Sequence, residues 1–246
     1  MSRKEDYIAV FDSGVGGISV LKELLREMPG EKFLYFGDCA NAPYGTKSTE
    51  KVRELTLAAA QRLFDRGIKA LVVACNTATA AAINDLRQTY PESIIVGIEP
   101  AVKVAYDHFP KGKVGVLATP VTLREEKFAH LAESFSQMEI VSIPLPGLVE
   151  LIEKGQDTED FLAPLLQSYY GKLDAAVLGC THYPLVAKTI QKLLGQNTAL
   201  LDGAVGVALQ TKRRLEQAGL LEKGSGGVIF ESSAGGDFEA RCRKLL

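Results

Sequence analysis

The sequence predicts an α/β protein built as two pseudo-symmetric, doubly wound parallel-sheet domains facing a shared cleft. Three observations carry that prediction. Short β-branched runs alternate with stretches of helical period from end to end. Four strand candidates of the first half recur in order in the second. One pattern, an apolar strand followed by a cysteine and then polar capping residues, occurs once in each half.

Strand candidates are Ile8–Asp12, Phe33–Phe36, Ala70–Ala74, Ile94–Ile98, Val114–Ala118, Ile140–Ile143, Ala175–Leu178, Ala199–Leu201 and Val228–Phe230. Between them, apolar spacing near 3.6 predicts helices over Ile18–Met28, Thr49–Arg66, Ala78–Tyr90, Val102–His108, Thr122–Ser136, Thr158–Tyr170, Tyr183–Leu194 and Val205–Ala218. Such alternation favours parallel sheets covered by helices on both faces. The recurrence has a nearly constant offset: 106 from Ile8 to Val114, 106 from Phe33 to Glu139, 105 from Cys75 to Cys180 and 104 from Ile94 to Thr198. A simple βα period is much shorter, and would not also align Ala74-Cys75-Asn76-Thr77 with Gly179-Cys180-Thr181-His182. An internal duplication is expected, with residues 1–98 plus 207–246 forming one domain and 99–206 the other. Ligands of open α/β sheets bind at the strand C-termini, which here face one cleft.

Composition narrows the function. The 28 basic and 30 acidic side chains leave a formal net charge of −2, so no electrostatic footprint for nucleic acid is visible. Basic runs such as Lys111-Gly112-Lys113 and Lys212-Arg213-Arg214 read as solvated surface. No apolar run reaches the roughly 18 residues of a membrane span, and the charged segment Met1–Asp6 leads into a strand, so no signal peptide is expected. Four cysteines at 39, 75, 180 and 242 form no CxxC pair. Neither a metal site nor a redox pair is suggested, and a reducing cytoplasm is expected.

The chemistry-bearing residues lie where strands end. Leu71-Val72-Val73-Ala74 precedes Cys75, and Ala176-Val177-Leu178-Gly179 precedes Cys180, with Pro184 near a helix start. A thiol at a helix N-terminus is favoured as thiolate, and a modest downward shift from about 8.5 would suit proton transfer. Buried cysteine is also a common core residue, so the matched pair, rather than either alone, argues for function. Cys39 follows a strand and could lie near the cleft; Cys242 falls in a charged tail and is expected to be incidental. Asp12-Ser13-Gly14-Val15-Gly16-Gly17 is neither GxGxxG nor a Walker loop, which discounts NAD and ATP. Its glycines let backbone N–H groups approach an anion, and Asp12 reads either as a helix cap or as a site residue. Asn41-Ala42-Pro43-Tyr44-Gly45-Thr46 is a turn and a candidate substrate loop. His182 adjoins Cys180; His108 and His130 read as structural or solvent-facing.

Four motifs stand in order along nearly the whole chain: Phe11-Asp12-Ser13-Gly14-Val15-Gly16-Gly17, Pro43-Tyr44-Gly45, Ala74-Cys75-Asn76-Thr77-Ala78-Thr79 and Leu178-Gly179-Cys180-Thr181-His182-Tyr183-Pro184-Leu185. Together they resemble glutamate racemases, of the aspartate/glutamate racemase superfamily. The resemblance implies a cofactor-independent two-base mechanism in which Cys75 deprotonates D-glutamate and Cys180 deprotonates L-glutamate. It implies that Asp12, His182 and Glu150 assist as acid/base residues. It places Asp12, Ser13, Pro43, Tyr44, Gly45, Asn76, Thr77, Thr119, Thr122, Thr181 and His182 around the substrate. A homodimer, no metal, and a role in supplying peptidoglycan precursors are further implications. None of these motifs contains Arg or Lys, so backbone N–H groups and hydroxyls are expected to hold the substrate carboxylates in a dry site, with the two units closing over it.

The sequence departs from the family at Ser142-Ile143-Pro144, where relatives carry Ala-Cys-Pro, and it ends at Leu246, earlier than many. Without a long N-terminal extension, activation by a peptidoglycan precursor is not expected. Other readings are an aspartate or other amino-acid racemase with the same thiols, a one-thiol decarboxylase, or a non-catalytic binding protein for acidic metabolites. Binding alone needs no thiol, and the decarboxylase needs only one.

Overall fold

A computed structural model describes residues 6–135 and 137–246. The expectation about the N-terminal Met1–Asp6 segment, apart from Asp6, and the last residue of the helix expected over Thr122–Ser136 lie outside the described residues.

Two wholly parallel sheets form. The first contains β1 (Ile8–Asp12), β2 (Lys32–Gly37), β3 (Ala70–Val73), β4 (Ile94–Gly97) and β9 (Gly227–Ser232), in the order β4-β3-β1-β2-β9. The second contains β5 (Lys113–Ala118), β6 (Glu139–Pro144), β7 (Ala175–Gly179) and β8 (Ala199–Leu201), in the order β6-β5-β7-β8. Read from the other edge, the second order repeats the first, with β9 as the addition. The register repeats too: Ile8 pairs with Phe33 and Ala70, and Val114 pairs with Ile140 and Ala175. All nine predicted strands are present.

Strand alternation divides each core in two. Ile8, Val10, Val72 and Val96 pack under α1 (Ile18–Glu27) and α10 (Ala204–Gln217), whereas Ala9, Phe11, Leu71 and Val73 pack under α2 (Thr49–Asp65) and α3 (Asn76–Thr89). In the second sheet, Val114, Val116 and Val177 face α4 (Val102–His108), and Leu117, Ala176 and Leu178 face α8 (Glu159–Leu166) and α9 (Ala187–Leu194). Burial of α1's Ile18, Val20, Leu21 and Leu24 contributes roughly 1.5–3 kcal/mol per side chain.

Helix boundaries show where tertiary contacts override pattern. The stretch from Thr122 is split into α5 (Pro120–Arg124) and α6 (Glu126–Glu133), because Glu125 takes extended backbone (φ −67°, ψ 138°). Its carboxylate accepts a hydrogen bond from Thr49 Oγ1 of the other lobe at 2.5 Å. α9 begins later than expected, after a 3-10 turn at Tyr183–Val186 that contains Pro184. Two helices escaped the sequence reading: α7 (Leu148–Glu153), which follows Gly147 at φ +92°, and α11 (Phe238–Leu245). Cys242 is not in an incidental charged tail. It is fully buried on α11, in the same core cluster as Tyr35 and Phe238. The apolar face of α11 is only Phe238, Cys242 and Leu245 wide, too thin to stand out among its charges.

Candidate active site

The direction in which successive strands are added reverses between β1 and β3 in the first sheet and between β5 and β7 in the second. Doubly wound sheets bind ligands at this switch point, beyond the strand C-termini. Asp12 ends β1 and Cys75 follows β3; Thr119 follows β5 and Cys180 follows the end of β7. Each lobe therefore contributes one thiol and one polar companion at its own switch point, and the two sets meet.

The Cys75 side is capped and dry. Cys75 is the N-cap of α3; its Sγ accepts from Ala78 N–H at 3.4 Å and lies 3.7 Å from Ser13 Oγ, to which the thiol donates. The helix end does not lower this thiol, contrary to the sequence expectation. Burial pushes Cys75 up to about 12, with the Asp12 charge adding to the rise and the Ala78 and Ser13 hydrogen bonds opposing it. Asp12 is itself raised to about 6 by complete burial, against the pull of His182 and of hydrogen bonds from Thr181 and Gly14. Thr181 Oγ1 donates to Asp12 Oδ1 at 2.9 Å, so a residue of one lobe's thiol motif holds the carboxylate of the other.

The Cys180 side is ionic. His182 Nδ1 lies 3.9 Å from Cys180 Sγ, and its Nε2 lies 2.8 Å from Glu153 Oε1. Burial would lower His182, but the hydrogen bonds to Cys180 and Glu153 outweigh it and raise the group to about 10. Burial would likewise raise Glu153, yet hydrogen bonds from His182, Val15 and Arg241 hold it down at about 2. At neutral pH the pair is imidazolium and carboxylate, and both ring nitrogens donate. A positive charge thus stands beside the Cys180 sulfur.

The glycine loop after β1 has a role the sequence did not reveal. A Cβ on Gly14 would collide with Glu153 Oε1, and one on Gly16 with the His182 ring. Bare backbone at these positions lets the opposite lobe's acid/base pair approach.

Among the remaining expected residues, Thr77, Thr119 and Thr122 form a buried hydroxyl cluster across the lobe junction, with Oγ1 separations of 3.0 to 3.4 Å. Tyr44 OH donates to Asp38 Oδ2 at 2.6 Å, and Gly45 packs on Thr119. Pro43 and Glu150 line a narrow crevice of about 10 Å³ together with Thr119 and Gly147. No hydrogen bond joins Glu150 to either thiol motif among those recorded for the described residues; Glu153, one helical turn further on, is the carboxylate on His182. Its signal was the i,i+3 repeat of acids in Glu150-Leu151-Ile152-Glu153 on a helix that the sequence reading missed. Asp38 and Arg241 were missed as well; Asp38 directly follows β2, the strand beside β1, which Asp12 ends.

Both oxygen and nitrogen of the Asn76 amide are buried without a hydrogen-bond partner among the described residues, beside a cavity of about 190 Å³ that Thr79, Ile98, Pro100 and Thr122 also line. The thiols themselves are closed off: Cys75 is 5 % exposed and Cys180 7 %. Among the described residues, no group of three or more His, Cys, Asp or Glu side chains is arranged to hold a metal ion, and no helix is long and apolar enough to cross a membrane.

Fold and site together define a class of duplicated α/β proteins with one thiol per lobe at the switch points. The chain belongs to the Asp/Glu/Hydantoin racemase family, whose model matches residues 12–210. It is similar along its whole length to glutamate racemases. That of Clostridium botulinum (strain Alaska E43 / Type E3) is 44% identical over 100% of this chain and 98% of its own. That of Clostridium novyi (strain NT) is 48% identical over 85% and 83%. Among solved structures, glutamate racemase from Francisella tularensis in complex with D-glutamate superposes with TM-score 0.86 at 28% identity, covering 99% of this chain and 94% of that one. The Thermus thermophilus enzyme in complex with β-chloro-D-alanine gives 0.85 at 36% identity with the same coverage.

Proposed function

We propose that this chain interconverts L- and D-glutamate by cofactor-independent two-base proton transfer, and that the D-glutamate supplies peptidoglycan synthesis in the cytoplasm. One observation carries the reading: two buried thiols stand at equivalent strand ends of a duplicated fold, each with its own ionisable companion. Racemisation needs a base and an acid on opposite faces of one carbon. Two equivalent sites from facing lobes supply them.

In the L-to-D direction the Cys180 thiolate takes the Cα proton and becomes a thiol. The Cys75 thiol donates its proton to the opposite face of the carbanion and becomes a thiolate. The protein then carries its proton on the other sulfur, and the reverse direction exchanges the roles. His182 stabilises negative charge on Cys180. Asp12, raised to about 6, is close to the range in which a carboxylate can accept or return a proton beside Cys75. Glu153 keeps His182 charged and oriented. Glu150 remains a proposed assisting carboxylate from the family pattern, with less geometric support.

Ser13, Pro43, Tyr44, Gly45, Asn76, Thr77, Thr119, Thr122 and Thr181 are proposed as the substrate lining. The unpartnered Asn76 amide supports this, since a buried amide without partners costs roughly 1–3 kcal/mol unless a ligand satisfies it. The near-complete burial of both thiols supports lobes, residues 1–98 plus 207–246 and 99–206, that separate to admit substrate and close to exclude water. A homodimer is proposed on the same family grounds.

Circular dichroism of purified protein with L-Glu, L-Asp and L-Ala, with no cofactor added, tests the function. Racemisation of glutamate alone is expected. Loss of signal without pyridoxal phosphate, or preference for aspartate, would overturn the reading.

A further inference from the structure

Glu153 belongs to the second lobe, but the first lobe holds it. Arg241 Nη2, on the C-terminal helix α11, donates to Glu153 Oε2 at 2.6 Å and to the Glu153 carbonyl at 3.1 Å. Val15 N–H, in the glycine loop, donates to Oε1 at 3.0 Å. The same Oε1 accepts from His182 at 2.8 Å. α11 is anchored in turn: Phe238 stacks on Tyr35 with ring centroids 5.9 Å apart, Cys242 is buried in the first core, and Tyr35 OH donates to the Gly14 carbonyl at 2.8 Å. A continuous chain of contacts therefore runs from α11 through Arg241, Glu153 and His182 to Cys180, crossing the lobe seam once.

We propose that Arg241 is a positioning residue for the racemisation: it pins the Glu153 carboxylate in the orientation that keeps His182 charged beside Cys180. This rests on the function proposed above. Glu153 is partly exposed, with 20 % of its side chain accessible, and has a route to solvent. Without the guanidinium, Oε2 and the Glu153 carbonyl lose this donor, the carboxylate is held only at Oε1 by Val15 and His182, and its freedom to rotate toward solvent weakens the hydrogen bond that charges His182. When the lobes part, the Arg241 and Val15 contacts break together, so the Cys180 pole is assembled only on closure.

The groups facing His182 are Cys180 beyond β7, Glu153 on α7 and Asp12 at the end of β1; Tyr35, Cys39 and Cys242 lie near enough to feel the Glu153 charge. The competing view treats Arg241 as a simple charge, and the two differ in sign. A bare cation near an imidazolium disfavours it, so removing the cation would raise the His182 titration midpoint. Removing a positioning residue lowers it.

The chain has only three histidines, so nitrogen-detected NMR titration of the whole protein resolves His182, assigned with His182→Gln. Arg241→Met is expected to lower the His182 midpoint by at least one pH unit. Arg241→Lys restores part of the shift. Arg243→Gln, an exposed neighbour on the same helix, leaves it unchanged, and thermal melts check that each variant is folded. If Arg241→Met does not fold, Arg241→Gln takes its place. An unchanged or raised midpoint overturns the proposal. In kinetics, kcat/KM falls about tenfold equally in both directions, because a racemisation has an equilibrium constant of one, and the alkaline limb of the pH profile moves to lower pH with the NMR midpoint. Protein that does not racemise glutamate yet shows the NMR shift would refute the proposed function while leaving the Arg241 contact chain standing.

Discussion

The two thiol sites occupy equivalent places in the two lobes, yet their surroundings are opposite. Cys75 sits at a helix N-cap beside a buried carboxylate, and burial with the Asp12 charge raises it to about 12. Cys180 has an imidazolium at 3.9 Å, backed by Glu153 and Arg241. Duplication copied the strand and the sulfur but not the ionisable companion. A two-base racemase benefits from the difference, because at rest one sulfur must hold a proton while the other is ready to accept one. The cation stands beside one and the anion beside the other.

Removing either sulfur is the strongest test. Cys75→Ala and Cys180→Ala should each lower racemisation at least a thousandfold, read by circular dichroism, with glutamate binding retained in calorimetry. Substantial turnover by either variant would break the two-base picture. The companions should cost less, about a hundredfold, and should differ in pH behaviour. Asp12→Asn is expected to erase an acidic limb near pH 6, and His182→Gln an alkaline limb near pH 10. Identical profiles would mean that the two poles are not electrostatically distinct.

Stability gives a third contrast. The folded-state pKa of Asp12 is raised above its ordinary 3.8 to about 6, so its contribution favours the fold at low pH and is lost as pH rises through 6. Above that, the buried charge costs up to about 3 kcal/mol. Asp12→Asn should therefore raise the melting temperature at pH 7.5 while lowering activity. The pair on the other side has the opposite sense. Glu153 contributes above pH 4.5 and loses its contribution as pH falls toward 2; His182 contributes below 6.5 and loses its contribution as pH rises through 10. His182→Gln at pH 7.5 should lower the melting temperature, and equal shifts for the two variants would erase the contrast. The smallest effects separate two neighbouring carboxylates: Glu153→Gln is expected to cost about tenfold in kcat/KM and Glu150→Gln less than threefold. The reverse order would restore Glu150 as the assisting residue.

Much of this was legible from residues alone. All nine strands follow from short apolar runs, since a buried parallel strand is a short, nearly continuous apolar stretch. The offset near 105 identified the duplication, and the strand-order repeat has the same origin. The thiols, Asp12 and His182 could be read because they sit at or within three residues of strand ends, where backbone geometry directs them toward the switch point. Glu153 and Arg241 could not. Each is one charged residue among several on a short helix, and what distinguishes them is a partner 29 or 88 positions away.

The sequence by itself determined the two-lobed parallel fold, the pairing of the thiols and the edge on which they stand. Those properties follow from local periodicity and from strand ends, and both are written in contiguous residues. Only the tertiary structure decided the electrostatics. The pKa of a thiol or carboxylate depends on how much water is removed and on which charge stands within a few ångströms, and here those charges come from residues far apart in the sequence, in either lobe. The helix-end argument predicted a lowered Cys75; desolvation and Asp12 reversed it, because burial of a charge costs more than one helix terminus returns.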